Sequence, residues 1–296
     1  MLRVLCCCVL ASGVLAWPAG LRAEQQPNAS QDEPESKGSQ GEQKPLWEAG
    51  LGIGAVAFPD YRGSDEANVY PLPLPYFVYR GKFLKADREG VRGELFDRRY
   101  LELSLSMNAT VPVSSEDNAA REGMPNLRPT LEFGPSLEVH LWRSADEAIK
   151  LDLVMPLRLP VTLEGSPQAL GWNFSPRLNI DIKNVAGLAG WNFGAGVGPL
   201  FGADKFHEYF YSVAPRFATD QRPAYEARGG YSGTHFLAAV SKRFPGYWVG
   251  VYARYDNLGG AEFEDSPLVR RQNYLTGGIG IAWMIGKSKR LVTSEE

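Results

Sequence analysis

Residues 172–201 alternate between apolar side chains and polar or glycine positions over the length of two long strands. Because neighbouring side chains on a strand point to opposite faces, each strand has one apolar face and one polar face. The apolar positions are Trp172, Phe174, Pro176, Leu178, Ile180 and Ile182, then Trp191, Phe193, Ala195, Val197, Pro199 and Phe201. Strands of soluble sandwiches are usually about five or six residues long. Longer strands of about ten residues, apolar outward, polar inward and bounded by aromatic residues, are typical of transmembrane barrels.

The same alternation recurs along residues 47–285 and predicts an all-β fold, an antiparallel transmembrane β-barrel of the bacterial outer membrane. We count about twelve strands, with ten or fourteen as the alternatives. The strands are expected at residues 47–57, 69–79, 83–88, 91–96, 100–111, 128–142, 149–163, 172–183, 191–201, 229–244, 247–257 and 273–285. Residues 209–213 could form a further strand. The number of strands argues against it. With an even number and without this strand, every short connection faces the periplasm and every long one faces outward.

The two ends of the chain are predicted to lie outside the barrel. Residues 1–23 have the charged start, apolar centre and small-residue cleavage site of a signal peptide. All three cysteines, at positions 6–8, lie in this segment, before its apolar centre has ended, which argues against a lipoprotein signal. Residues 24–46 are polar and predict a disordered periplasmic tail, and residues 286–296 a short periplasmic C-terminal tail. The net charge of −3 gives no indication of nucleic-acid binding.

Three prolines interrupt the second predicted strand at every other position. Pro71, Pro73 and Pro75 all remove backbone donors from the same edge, since alternate N–H groups on a strand point to the same neighbour. The pattern predicts either a weakened seam in the barrel or a polyproline segment that passes over it.

Neither a catalytic site, nor a cofactor site, nor a metal site is predicted, and the partner-binding residues cannot be assigned. His140, between Glu138 and Trp142 on the lumen face, and His235 are interpreted as polar residues that fill the lumen. His207 and Glu208 could bind a metal, but two adjacent ligands are weak evidence. No nucleophile motif or phosphate loop is present.

The lumen faces of the strands carry charges of both signs, which we expect to pair across neighbouring strands because unpaired charges are costly inside a protein. These residues are Glu102, Glu132, Glu138, Lys150, Asp152, Arg158, Arg177, Asp181, Lys183, Arg254 and Asp256. A filled, self-neutralised lumen and a narrow water-filled pore are both compatible with this set.

Several short motifs are spread along the predicted barrel. They are Tyr61-Arg62-Gly63-Ser64, the Pro-Leu-Pro run into Pro75-Tyr76, Tyr79-Arg80-Gly81, the stretch 86–93, Tyr209-Phe210-Tyr211, Arg222-Pro223-Ala224-Tyr225 and Gly229-Gly230-Tyr231. Together they resemble the MipA/OmpV family of outer-membrane proteins. The resemblance implies an outer-membrane barrel in contact with lipid and lipopolysaccharide. It also implies a scaffold that links a murein-cleaving lytic transglycosylase to a bifunctional penicillin-binding protein.

The sequence is therefore compatible with three functions. The first is a non-enzymatic scaffold for murein enzymes, acting through residues 24–46, the short turns or the basic segment 287–290. The second is a surface-exposed adhesin, or a narrow channel involved in envelope or antibiotic response, acting through residues 112–127, 203–228 and 258–272. A lipid-modifying enzyme is the third and the least favoured.

Overall fold

The computed structural model describes residues 42–80, 84–87, 90–93, 96–98, 100–163 and 165–294. The predicted signal peptide, residues 1–23, and residues 24–41 of the predicted tail lie outside the described residues. Across the described ranges, no helix combines the length and the apolar character needed to span a bilayer.

The described chain is mostly strand, 58% of it, as the alternation predicts. The strands are β1 (Glu42–Pro45), β2 (Trp47–Pro59), β3 (Ala67–Arg80), β4 (Leu84–Asp87), β5 (Gly90–Gly93), β6 (Phe96–Arg98), β7 (Leu101–Ala109), β8 (Thr130–Arg143), β9 (Ile149–Thr162), β10 (Asn173–Phe174), β11 (Arg177–Ile182), β12 (Trp191–Gly202), β13 (Gly230–Arg243), β14 (Tyr247–Asn257), β15 (Asn273–Lys287) and β16 (Leu291–Ser294). One α-helix, α1 (Asp204–Tyr211), and 3-10 turns at Val185–Gly187 and Pro215–Phe217 lie in the connections.

Antiparallel pairing joins strands β2 through β15 into one barrel, while β1 and β16 form a separate two-stranded sheet. The path of paired strands runs β5-β4-β3-β2-β15-β14-β13-β12, continues through β10 and β11 to β9, and ends β8-β7-β6. The two ends of the path, β5 and β6, follow each other in the chain, and β5 lies beside β7. The sheet therefore returns to its starting point, which removes the long exposed edges of an open sheet.

The count of twelve strands fits this structure when β5 with β6, and β10 with β11, are each taken as one interrupted strand. The second interruption falls at Ser175 and Pro176, inside the long strand expected from residue 172. Residues 209–213 are not a barrel strand. Tyr209 to Tyr211 end α1, and Val213 forms only an isolated bridge with Tyr225.

On the long barrel strands whose side chains the structure describes, the apolar face points away from the lumen. On β2, Leu51 and Ile53 are 55% and 63% exposed, whereas Glu48 on the opposite face is buried. Exposed aromatic side chains gather where the strands meet the short turns: Trp47, Tyr100, Trp142 and Trp283. An apolar belt bounded by such aromatic residues is the surface that a lipid bilayer requires.

Trp142 departs from the expected alternation. The sequence places it on the lumen face with His140, but the structure has a β-bulge between these two residues. The extra residue reverses the alternation, so that Trp142 is exposed on the outside while His140 stays inside.

The proline-rich segment is a regular strand rather than a polyproline excursion. Residues Ala67 to Tyr79 of β3 pair continuously with β2, and the prolines lie opposite Leu51, Ile53 and Ala55. On the other edge, β3 pairs with β4 only at Tyr79 and Arg80. Within the described ranges, the pairing therefore agrees with a weakened seam beside the prolines.

The longest connections all lie at one end of the barrel. The loops 60–66, 110–129, 203–229 and 258–272 lie at this end, here called the loop end. The turns 144–148, 183–190 and 244–246 lie at the other, here called the turn end. Such segregation is the rule in bacterial outer-membrane barrels.

Both predicted tails contribute strands at the turn end. Glu42–Pro45, expected to be disordered, pairs as β1 with β16, which is formed by residues expected to be a C-terminal tail. Backbone bonds from Leu46 to Arg290 (2.8 Å) and from Ser288 to Trp47 (2.8 Å) join this ribbon to the barrel. Two polar segments that cannot bury a core alone thus satisfy each other's backbone groups.

Candidate functional site: a cavity beneath the loop cap

The long loops pack together into an apolar core over the mouth of the barrel, here called the loop cap. Its buried residues are Tyr61, Val113, Ala120, Leu127, Tyr211, Val213, Ala227, Leu258, Ala261, Phe263 and Leu268. Phe263 lies at the centre, fully buried and stacked on Tyr211 with ring centroids 3.6 Å apart. Loops that share a core of this kind hold one arrangement and can position side chains at the mouth.

The Tyr61-Arg62-Gly63-Ser64 motif connects the cap loops to one another. The Tyr61 hydroxyl donates to the Leu268 carbonyl (2.8 Å), and the Gly63 carbonyl accepts from the backbone N–H of Arg270 (2.7 Å). Gly63 has φ +94°, a conformation that favours glycine. Asn118 donates to the Ser64 hydroxyl (3.1 Å). The motif is thus a structural junction that also directs Arg62 into the barrel.

Arg222, in the motif Arg222-Pro223-Ala224-Tyr225, has a similar structural role. Its guanidinium donates to the carbonyls of Phe217 (2.8 Å), Ala120 (3.1 Å) and Glu122 (2.9 Å), which joins two loops. These contacts are to backbone and leave the motif no evident catalytic role.

His207 lies fully buried in α1, where both of its ring nitrogens have hydrogen-bond partners. Nδ1 is 2.5 Å from the carbonyl of Arg228, and Nε2 is 2.5 Å from the Ser232 hydroxyl. Burial lowers the pKa of this imidazole below its ordinary value, so the ring is neutral. Nδ1 therefore donates to the carbonyl and Nε2 accepts from the serine. With both nitrogens engaged, His207 is a poor metal ligand, and it fastens α1 to the start of β13.

A cavity of about 310 Å³ lies directly beneath the cap, inside the mouth of the barrel. Its walls combine aromatic rings from strands and cap with polar groups of the lumen. The aromatic lining consists of Phe58, Tyr61, Phe201, Phe206, Phe210, Tyr211, Tyr252, Phe263 and Tyr274, and the charged lining of Asp60, Arg62, Glu132, Arg158, Arg177, Arg254 and Asp256. A concave space with apolar walls and a few convergent polar groups is the usual form of a small-molecule site.

Asp256 on β14 is the centre of the polar side of this cavity. Its Oδ1 accepts from Arg254 Nη2 (2.7 Å) on the same strand and from Arg62 Nε (3.2 Å) in the first long loop. Arg62 Nε also lies 3.2 Å from the Tyr274 hydroxyl. Although burial alone would lower it, the pKa of Arg62 is raised above its ordinary value by Tyr274 and Asp256. The guanidinium is therefore charged in the barrel mouth.

The structure tests the expected pairing of lumen charges at two places. Near the turn end, Asp152 on β9 is bound by Arg143 (2.6 Å) and His140 (2.9 Å), both on neighbouring β8, which confirms cross-strand pairing there. Asp256 differs, because its partners come from its own strand and from a loop. No periodicity in the sequence indicates that Arg62 would enter the lumen.

The group Glu138, His140 and Asp152 contains the ligand types that bind metals, with candidate ligand atoms within 4.8 Å of one another. The guanidinium of Arg143 already places a positive charge on Asp152 at this point. A metal would have to displace that ion pair, so the arrangement fits a satisfied lumen cluster better than a metal centre.

The lipid-facing belt and the segregated loops define an integral β-barrel protein of the bacterial outer membrane. The sequence profile of the family described as "MltA-interacting protein MipA" matches residues 51–285, and the chain belongs to that family. Among curated proteins, none matches the sequence.

Several solved structures are similar to the chain at low identity. Outer membrane phospholipase A from Escherichia coli matches with a TM-score of 0.31 and 12% identity, covering 81% of this chain and 94% of that chain. OprB from Pseudomonas putida matches with a TM-score of 0.29 and 11% identity, covering 81% and 94%. OprG from Pseudomonas aeruginosa matches with a TM-score of 0.22 and 10% identity, covering 83% and 95%.

Proposed function

We propose that the protein is a non-enzymatic adaptor that holds murein enzymes at the inner face of the outer membrane. The observation that carries this proposal is the β1–β16 ribbon, which brings residues from both ends of the described chain together at the turn end. In bacterial barrels the short turns face the periplasm, where murein is cut and extended. The family name describes a protein that interacts with MltA. By extension, the partners here are a lytic transglycosylase and a bifunctional penicillin-binding protein.

The ribbon supports docking because a two-stranded sheet leaves backbone groups on its outer edges. β16 pairs with β1 and with no other strand in the described part of the chain. Exposed strand edges bind partner segments by adding a strand, with main-chain hydrogen bonds supplying affinity. Leu291, half exposed on this ribbon, adds an apolar contact for such a partner.

The environments of His207 and His140 support a structural role for these two residues. His207 and Ser232 are hydrogen-bonded as in serine hydrolases, but the Nδ1 of His207 faces a carbonyl instead of a carboxylate. His140 lies against Asp152 and Arg143, in an ion-paired cluster. Each arrangement is accounted for by structural hydrogen bonding alone.

The loop cap favours an adaptor over an open channel or a flexible adhesin. Its apolar core crosses the barrel mouth, and residues such as Leu258, Phe263 and Leu268 are fully buried. A shared core of fully buried side chains holds the loops in one arrangement, which favours neither a wide passage nor mobile surface loops.

The proposal is tested by affinity capture from detergent-solubilised membranes with two matched variants. In one, residues 291–294 of β16 are replaced by a Gly-Ser linker of equal length. In the other, the exposed residues 165–168 at the loop end are replaced in the same way. Capture of a lytic transglycosylase should be lost in the first variant and kept in the second. The reverse result would assign the binding surface to the loops, and failure of the unaltered protein to capture any murein enzyme would refute the adaptor role.

A further inference from the structure

The residues around the cavity beneath the cap include buried polar groups that the described chain does not satisfy. Four buried atoms around Asp256 lack a hydrogen-bond partner among the described residues: Asp256 Oδ2, Arg62 Nη2, Arg254 Nε and His235 Nδ1. Asp256 and His235 are themselves 1% and 7% exposed, and both line the cavity together with the two arginines. Buried polar groups without partners are rare in folded proteins, and each calls for a partner such as a water, an ion or a ligand.

The pairing of the strands explains why these atoms lie together. His235 on β13 stands directly opposite Asp256 on β14, and Leu237 opposite Arg254. Arg62 reaches the same carboxylate from the first long loop, whose position is fixed by the Tyr211 hydroxyl bound to the Arg62 carbonyl (3.1 Å). The site is therefore built from two strands and a loop that is anchored to the cap.

The unsatisfied atoms require two kinds of partner at once. The guanidinium nitrogens Arg62 Nη2 and Arg254 Nε are donors and need an acceptor, best an anionic oxygen. Asp256 Oδ2 is an acceptor and needs a donor, best a cation. Because both requirements meet at one ion pair, a ligand with only one charge would leave part of the site unpaired.

The charges that line the cavity also limit the net charge of a ligand. Four arginines and three carboxylates leave one positive charge. A dianion or a dication would therefore carry uncompensated charge into a buried site, whereas a molecule of zero or −1 net charge would not.

We propose that this cavity binds a small zwitterion, an amino acid or short peptide, through a salt bridge at each of its charged ends. Arg62 and Arg254 hold its carboxylate, Asp256 holds its ammonium group, and His235 contributes a further hydrogen bond. The volume of about 310 Å³ accommodates two or three small residues. The aromatic walls, among them Phe58 and Phe201, contact the backbone between the charged ends.

Triglycine and its two end-blocked derivatives test the proposal directly. Equilibrium dialysis with the full-length mature protein in detergent compares triglycine, N-acetyl-triglycine and triglycine amide. Triglycine should bind at least about 10-fold more tightly than either derivative, because each derivative loses one charge-assisted contact. Refolding the protein with each peptide present removes any effect of slow entry. Equal binding of triglycine and N-acetyl-triglycine would reduce the site to an anion site and overturn the proposal, as would no binding of triglycine.

Two variants and a control locate the binding. Arg62→Gln and His235→Gln should each weaken triglycine binding, Arg62→Gln by about 10-fold or more. Arg216→Gln makes the same chemical change as Arg62→Gln at an exposed position of the loop 203–229 and should leave binding unchanged. Heat-modified gel mobility reports whether each barrel is folded. Unchanged binding in folded Arg62→Gln would overturn the proposal.

Discussion

An arginine placed in the middle of the outward apolar belt should destabilise the barrel far more than the same residue at its margin. Ile279 lies midway along β15, 66% exposed, with Val251 and Ala55 opposite it on the neighbouring strands. Ile285 lies on the same face of the same strand and is 75% exposed. Ile285 is also the extra residue of a β-bulge against β2, between Met284 and Gly286. The pair therefore shares residue type and strand and differs in depth and in local pairing.

The structure gives the magnitude of this difference. Six residues of strand span about 20 Å, which is about 15 Å along the membrane normal at the usual strand tilt. Ile285 also lies beyond Trp283 of the aromatic belt, near the bilayer surface. Arginine costs about 2–4 kcal/mol at the bilayer midplane and about 0–1 kcal/mol near the interface. Ile279→Arg should thus lower the folding equilibrium constant roughly 30- to 700-fold, and Ile285→Arg by no more than about 5-fold.

Urea unfolding in phospholipid vesicles, followed by tryptophan fluorescence, measures both variants. On a soluble sheet, either substitution at so exposed a position would change stability by no more than about 0.5 kcal/mol. Equal and small effects at Ile279 and Ile285 would therefore refute the assignment of this face to lipid.

Three further outcomes follow from the cap and the lumen. Phe263→Ala removes the centre of the cap core at a local cost of about 3–5 kcal/mol. Limited proteolysis should therefore cut the loop 258–272 faster. The control Phe236→Ala, on the lipid face, should leave the cutting rate unchanged. Acid should loosen the cap. Burial lowers the pKa of His207 in the folded state, so below about pH 6.5 the unfolded cap binds a proton that the folded cap excludes. The stability of the cap should therefore fall as the pH drops below about 6.5. Proteolysis of α1 should accelerate in that range, and His207→Gln should remove this dependence. Arg143→Gln leaves the buried Asp152 carboxylate without its arginine, so urea unfolding should report a loss of about 3–5 kcal/mol, and adding Asp152→Asn should recover part of it.

The barrel is largely predictable from the sequence because the alternation of apolar and polar residues that produces it is a local pattern. Each strand carries its own alternation, so Leu51, Ile53 and Ile279 can be placed on the lipid face from their neighbours alone. The prolines of β3 likewise indicate, from local chemistry, the edge on which pairing is reduced. The β-bulge next to Trp142, where one extra residue changes the alternation, could not be predicted in this way. A bulge depends on the pairing with the partner strand, which the local sequence does not indicate.

The cap and the cavity could not be predicted in the same way. Arg62 meets Asp256 across 194 residues of sequence, and Tyr61 meets Leu268 across 207. Such contacts depend on how irregular loops fold against each other, which no periodicity encodes. The signal that could have found them was present in the resemblance motifs, since Tyr61-Arg62-Gly63-Ser64 and the aromatic run of α1 both form the cap.

The most direct test of the account is a scan of solvent and lipid accessibility along β15. The three cysteines lie at positions 6–8, so a chain that begins after residue 23 has none and accepts single cysteines for spin labelling. With the labelled protein in vesicles, positions 279, 281 and 283 should be accessible to oxygen in the bilayer, and positions 278, 280 and 282 should be shielded from it. A uniform, water-like accessibility at all six positions would contradict the lipid-facing barrel.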